Sequence, residues 1–471
     1  MGVRLDTTQS EEESDFMKVL WICNTMLPIV ASELDEPESN KEGWLSGLCD
    51  TILAKHNENN IELHVAFPVR KELAGMSGTV AVEPELQAGG TLNDHNLRTL
   101  FYHTFYEDVI HAETTDEGLE ARMRNIIEEV NPDLIHCFGT EYAHTYAAAK
   151  CAKDRKRLII GMQGLCSVIA NAYMANLPVG LSKSFTFRDV VKLDTLKLQQ
   201  KKYVMRGIRE RAAVKLAGNI IGRTAFDRYY AKQWNAKAGY YTLNETLRSC
   251  FYEGEWNPEN AEAHTIFVSQ GDYPLKGLHY LLIAAGRLKD HYPDIRIRVG
   301  GNTITSYDNV KDRIKLSTYG KYLRRLIADH RLTGRVEFTG MLTAEEMKRE
   351  YLRAGLFICC SSNENSPNSL GEAMILGVPC IAANVGGVPS IFTDKVDGIS
   401  YKGYKENDSS VDLDYVVNNL AEAICNMWDN PEKLPEYSKN ARKHAMKTHD
   451  RARNYEKLMD IYSFVVETNS Q

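Results

Sequence analysis

Residues 355–382 constrain this chain more than any other stretch. An apolar run at 355–360 (GLFICC) reads as a buried strand. Polar residues and Pro367 follow, then a helical pattern over 368–376 and a second apolar run over 378–382. Strand, loop, helix and strand in this order make one unit of a parallel sheet. The loop then lies at the carboxyl end of the first strand, where open parallel sheets bind their ligands.

Two carboxylates fall in this unit. Glu364 lies in the loop, and Glu372 lies one turn inside the helix. The first helical amides, near Asn368, Ser369 and Leu370, have no intrahelical partners and carry partial positive charge, which suits a phosphate. Like charges repel, so the carboxylates are better used on neutral hydroxyls such as those of a ribose or a hexose. Together these features outline a nucleotide-sugar site. The bland alternative is that Glu372 favours the helix dipole and Glu364 is solvated.

The run from Glu364 through Ser366-Pro367-Asn368-Ser369-Leu370-Gly371-Glu372-Ala373, with Gly377-Val378-Pro379 and Gly386-Gly387-Val388-Pro389 beyond it, resembles the signature of retaining glycosyltransferases of family 4. These belong to the glycogen-synthase-like superfamily and include builders of bacterial polysaccharides. Lys276-Gly277, between an apolar strand at 265–269 and a helix at 279–289, resembles a second motif of that family. A lysine at a helix start is disfavoured by the dipole, and a phosphate partner removes the conflict. Many members carry an arginine just before this lysine; Ser269-Gln270 stands in its place, so either a second cation comes from elsewhere, Arg223 at the exit of an apolar run at 219–224 being the candidate, or backbone amides do more.

Length and composition are consistent with this. At 471 residues the chain exceeds one ordinary core, so two domains are expected. A net charge of −7 gives no reason to expect nucleic acid, and the ten cysteines form no paired framework, which fits a reducing, cytoplasmic setting. No cluster has metal-ligand spacing. Asp412-Leu413-Asp414 matches a DxD pattern but precedes a helix and reads as a cap.

Apolar runs alternate with helical patterns along the amino-terminal half, with strands at 19–23, 61–67, 100–105, 134–138 and 158–162 and helices at 44–55, 118–129 and 142–153. Such repetition predicts a parallel sheet. Gly43, in the loop after the first strand, matches a position where family members bring amides to the donor phosphates, and it equally suits a plain helix start. After the strand at 134–138, His144 and Glu141 are placed to face the cleft, His144 supplying the imidazole that many members carry where this chain has Phe138. Gly301, in the turn after 295–299, is placed against base or ribose. From 183 to 215 ten Lys or Arg face three Asp or Glu. That segment is either a solvated helical face or a basic surface for anionic lipid or a lipid-linked diphosphate acceptor.

The resemblance implies an α/β GT-B enzyme with two Rossmann-like, doubly wound parallel-sheet domains facing a cleft. The expected division is a leader at 1–16, an acceptor domain at 17–255, a nucleotide-sugar donor domain at 256–445, and a helix at 446–471 crossing back to the first domain. The expected activity is transfer of a hexosyl unit from a nucleotide diphosphate sugar to a glycan or lipid-linked acceptor, with retention and with neither metal nor cofactor. Glu364, Lys276, His144 and Glu141 are the expected catalytic residues. Glu372, Ser369, Asn368, Leu370, Gly43, Arg223 and Gly301 are the expected donor contacts. A nucleotide-sugar epimerase of the same fold and a non-catalytic sugar-nucleotide-binding subunit remain as alternatives.

Overall fold

The computed structural model describes residues 16–37, 43–55, 60–82, 98–306, 309–406 and 408–468. Residues 1–15 of the expected leader and the residues just before Gly43 lie outside these.

Two sheets organise the chain. The first comprises β1 (Met17–Ile22), β2 (Ile61–Val69), β3 (Ser77–Val82), β4 (Arg98–Tyr106), β5 (Leu134–Phe138), β6 (Leu158–Gly161), β7 (Asn219–Gly222) and β8 (Gly239–Thr242), in the order β3-β4-β2-β1-β5-β6-β7-β8. Its pairings are parallel except at the edge, where β3 runs antiparallel to β4. The alternation of strand and helix does not announce that edge hairpin, because Ser77–Val82 (SGTVAV) has too little apolar content to stand out. Nor does it announce β8, whose four residues are all half-buried.

The second sheet comprises β9 (Glu262–Val268), β10 (Arg296–Gly300), β11 (Val336–Gly340), β12 (Ala354–Cys359), β13 (Cys380–Ala383) and β14 (Gly398–Tyr401). Its order is β11-β10-β9-β12-β13-β14, and all its pairings are parallel. The strands are short and apolar: Ile266, Phe267, Leu356, Ile358 and Ile381 are fully buried, as strands covered by helices on both faces must be. The order reverses between β9 and β12. Chains leaving these adjacent strands go to opposite sides of the sheet and open a crevice at their carboxyl ends.

Two features tie the chain's two halves together. Asn365, in the loop after β12, donates to Gln163 O (2.9 Å) and Asp227 Oδ2 (3.0 Å) and accepts from Thr224 Oγ1 (2.6 Å), so the loop is pinned to the first sheet's connections. The last helix, Arg451–Glu467, lays Tyr455, Leu458, Ile461, Tyr462 and Val465 into the core around β1 and β2. There Trp21 Nε1–H donates to Tyr462 Oη (2.9 Å), and Tyr462 Oη lies 2.7 Å from His136 Nδ1. The helical region after 413 is interrupted at Pro431 and again before Arg451, and its first helix is capped by Asp412, whose Oδ1 accepts from Tyr415 N at 2.8 Å.

Candidate active site

The loops after β9 and β12 supply the two residues at the centre of the crevice. After β9 the chain makes a single helical turn, Pro274–Lys276, and Gly277 takes a left-handed φ of 71°. A Cβ at Gly277 would come within 1.9 Å of Cys360 O, so only glycine lets this turn lie against the end of β12. That approach brings Lys276 Nζ to 2.6 Å from Glu364 Oε1, which also accepts from Ser361 Oγ at 2.7 Å. From the other side Gly386, at φ 51°, packs on Glu364 O, where a Cβ would meet that oxygen at 2.0 Å. Gly277 and Gly386, one from each sequence motif, therefore serve one purpose: they fix the backbone on either side of this ion pair. Burial opposes the Lys276 charge, but the Glu364 carboxylate outweighs it and holds the ammonium above its ordinary pKa. The lysine's position near a helix start is balanced by that carboxylate as well as by any phosphate.

The helix Asn368–Ile375 begins at the same crevice, with Pro367 ahead of it. The Leu370 amide donates to Pro367 O (3.0 Å) and its side chain is buried, so the outward amides are those of Asn368 and Ser369; Leu370 drops out as a donor contact. Asn368 Oδ1 is buried without a partner among the described residues. Glu372 is buried, and its Oε1 accepts from Arg248 Nε (3.1 Å) and Nη2 (2.8 Å), while Tyr351 Oη lies 3.3 Å from Oε2. Burial raises the Glu372 pKa, and Arg248 partly offsets that rise.

These groups line a cavity of about 650 Å³ between the sheets, together with Gly43, Arg223, Glu245, Asp272 and Gly301. A volume of this order accommodates a nucleotide-sized ligand. Gly43 opens the helix Gly43–Ala54, and a Cβ there would sit 2.5 Å from the Arg248 side chain. Gly301 lies at the end of β10 and donates to Gly340 O at 3.0 Å. Each cation of the cavity wall has its own carboxylate: Lys276 with Glu364, Arg248 with Glu372, Arg223 with Glu245. Arg223 thus lines the cavity with its guanidinium paired to Glu245, as Lys276 is paired to Glu364. Arg248 is the cleft cation that sequence reading misses. It sits in an aromatic-rich segment without helical period, and nothing local marks it.

His144 and Glu141 have other occupations. His144 is fully buried, with Nδ1 2.6 Å from Glu107 Oε2 and Nε2 3.1 Å from Asn24 Oδ1, so both ring nitrogens are engaged away from the cavity. Glu141 accepts from the Thr140 and Gly164 amides at 2.8 and 2.6 Å, tying two strand-end loops together. Neither lines the cavity. Burial works against ionisation of Glu107, yet His144 and the Ala143 amide hold its carboxyl below the usual range. That contribution to stability is present above the unfolded glutamate pKa and is lost as pH falls through the folded one. His144→Ala should therefore cost about 2–3 kcal/mol in denaturation at neutral pH, with a smaller loss in acid, and should leave the activity of the folded fraction unchanged.

The comparisons with known proteins place the second sheet. The profile of the family described as "Glycosyl transferases group 1" matches residues 255–444. Residues 255–444, which carry the second sheet, therefore resemble a glycosyl transferases group 1 domain. The putative glycosyltransferase YtcC of Bacillus subtilis is 29% identical over 172 residues, covering 36% of this chain and 38% of that protein. Spore coat protein SA of the same organism is 27% identical over 269 residues, covering 53% of this chain and 64% of that one. Each match spans less than two thirds of the relative's own length. Among solved structures, sucrose-phosphate synthase from Thermosynechococcus elongatus superposes with a TM-score of 0.62 at 13% identity, over 96% of this chain and all of that one. Anabaena HepE in complex with UDP-glucose gives 0.58 at 16%, over 96% and 99%. The fold is GT-B throughout the described residues.

Proposed function

We propose that this protein is a retaining glycosyltransferase that moves a hexosyl unit from a nucleoside diphosphate sugar to a glycan or lipid-linked acceptor. The observation that carries the reading is the meeting of Lys276, Glu364 and the start of the helix Asn368–Ile375 at the point where the strand order of the group 1 domain reverses. The Asn368 and Ser369 amides and the Lys276 ammonium face the diphosphate and neutralise charge as it leaves. Glu364 orients the sugar hydroxyls. Glu372 accepts from the ribose through Oε2, or shares Oε1 with Arg248. In the reaction the bond from the anomeric carbon to the diphosphate oxygen breaks, and the acceptor oxygen bonds to the same face. The acceptor's proton goes to the departing phosphate. A dedicated protein base is then unnecessary, which accords with His144 and Glu141 being engaged elsewhere. Metal independence is part of the proposal, the charge being met by Lys276 and the two amides.

Thermal stabilisation by UDP, GDP and ADP tests the donor site. A diphosphate at a hundred times its dissociation constant stabilises the native state by about 2.7 kcal/mol. One of the three is expected to raise the melting temperature of the wild type and to do so much less in Glu372→Ala. No shift with any of them removes the nucleotide reading. Incubating donor sugar alone separates transfer from epimerisation, since only an epimerase makes an isomer without an acceptor.

A further inference from the structure

Apolar side chains face solvent on the connection leading into the long helix Leu196–Leu216. Val179, Phe185, Phe187, Val190, Val191 and Leu193 are all exposed, Phe185 by 67% and Phe187 by 69%. Lys183, Lys192, Lys197 and Lys201 are exposed among them. The acids of residues 178–208 are withdrawn from this surface. Asp189 is buried and accepts from the Thr318 amide (2.9 Å) and hydroxyl (2.5 Å), and Asp194 is paired with Arg188 at 2.7 Å. The helix Val310–Lys315 packs beside Phe187–Val191 and extends the same composition, with Val310, Ile314, Arg313 and Lys315 exposed.

Leu193 gives an independent indication. It closes the helix Phe187–Val191, where its N–H donates to Val190 O (3.2 Å) and that of Asp194 to Asp189 O (2.8 Å). Its φ is 48°, a left-handed conformation disfavoured for leucine and suited to glycine at a helix end. The side chain is 69% exposed, so burial among the described residues does not account for leucine there.

We propose that this face docks on an anionic lipid bilayer, with the aromatic and aliphatic tips in the headgroup region and the lysines against anionic headgroups. Exposed apolar groups ringed by lysines, with no exposed acid among residues 178–208, match the chemistry of an interfacial membrane surface. The same segment lines a cavity of about 370 Å³ with Tyr273 and Asn302, which also line the nucleotide cleft. Docking would therefore hold the mouth of the cleft near the bilayer, where a lipid-linked acceptor resides. That last step rests on the proposed function; lipid binding does not.

The test is co-sedimentation of the full chain with phosphatidylcholine vesicles, with and without phosphatidylglycerol. Binding is expected only with the anionic lipid. Phe185→Ser with Phe187→Ser should weaken it by on the order of tenfold or more, and each of Lys192→Gln and Lys197→Gln by about fivefold. Leu193→Gly is the sharpest variant: it should weaken vesicle binding while leaving the melting temperature unchanged or higher, a combination that a purely structural leucine would not give. Absence of binding to anionic vesicles, or binding untouched by these substitutions, overturns the inference. So does light scattering that shows a self-associated chain dissociated by the Phe185 and Phe187 substitutions, which would make this face an interface between copies. Stabilisation by nucleotide, measured in the same variants without lipid, should be unaltered, so failure here is distinguishable from failure of the donor reading.

Discussion

Lys276→Ala should lower the rate of glycosyl transfer by about 10²–10³-fold, the usual cost of removing one preorganised group from developing negative charge. The protein should still fold. Glu364, left without its ammonium, keeps the Ser361 hydroxyl at 2.7 Å and borders an open cavity, so water reaches it, and the stability loss should be about 1–2 kcal/mol. Binding separates the phosphate role from a merely structural one. In the wild type a diphosphate competes with Glu364 for the lysine, so replacing the lysine should weaken a nucleoside diphosphate far more than the bare nucleoside. Calorimetry with both ligands measures this, and equal losses would take Lys276 out of the phosphate site. Glu364→Gln supplies the converse. It frees the ammonium from its carboxylate, so affinity for the free diphosphate should rise while transfer falls, because the amide orients the sugar hydroxyls less strongly than a carboxylate.

The parts of this site that were legible in sequence are those made by local chemistry. The strand at 354–359, the helix after Pro367 and the glycine turns each follow from apolar runs, a helix-start proline and residues that tolerate left-handed backbone, and the structure brings Lys276 and Glu364 together on that framework. Pairings across the chain were not legible. Arg223 and Arg248 are both arginines near the end of the first domain, and only the fold decides that one is consumed by Glu245 and the other by Glu372. The sequence places His144 in the first turn after a strand. That position lies at the strand-order reversal of the first sheet, but Glu107, far away in sequence, turns the ring inward. Asn365 illustrates the same limit from the other side. It looks like loop filler in the sequence, yet it carries three hydrogen bonds that fasten the second domain's loop to the first.

Arg248→Ala should be the most destabilising change at the cleft. Glu372 is buried beside the second sheet, and the guanidinium that compensates it comes from residues that precede that sheet's first strand. Removing one partner of a buried pair leaves the other charge uncompensated, at about 3–5 kcal/mol and several degrees of melting temperature. The pH dependence fixes the cause. Burial already raises the Glu372 pKa and Arg248 restrains it, so the variant's carboxyl should rise further above its unfolded value. A carboxyl with a raised folded pKa contributes stability that is present below the unfolded pKa and is lost as pH rises through the folded one. The deficit relative to wild type should therefore be larger at pH 8 than at pH 5. Adding Glu372→Gln to Arg248→Ala should recover most of it and flatten the pH dependence, because a neutral amide needs no counter-charge and still meets the Tyr351 hydroxyl. If the double variant is no more stable than Arg248→Ala, the arginine acts through packing on Phe251, over whose ring its guanidinium lies at 4.7 Å, and the charge pairing is incidental. Donor affinity decides what the pair is for. Arg248 holds Oε1 with two hydrogen bonds, so a ribose diol must share that oxygen or take Oε2. An arginine that only stabilises leaves the nucleotide affinity of the folded Arg248→Ala protein unchanged, whereas one that orients the carboxylate for the ribose takes that affinity with it.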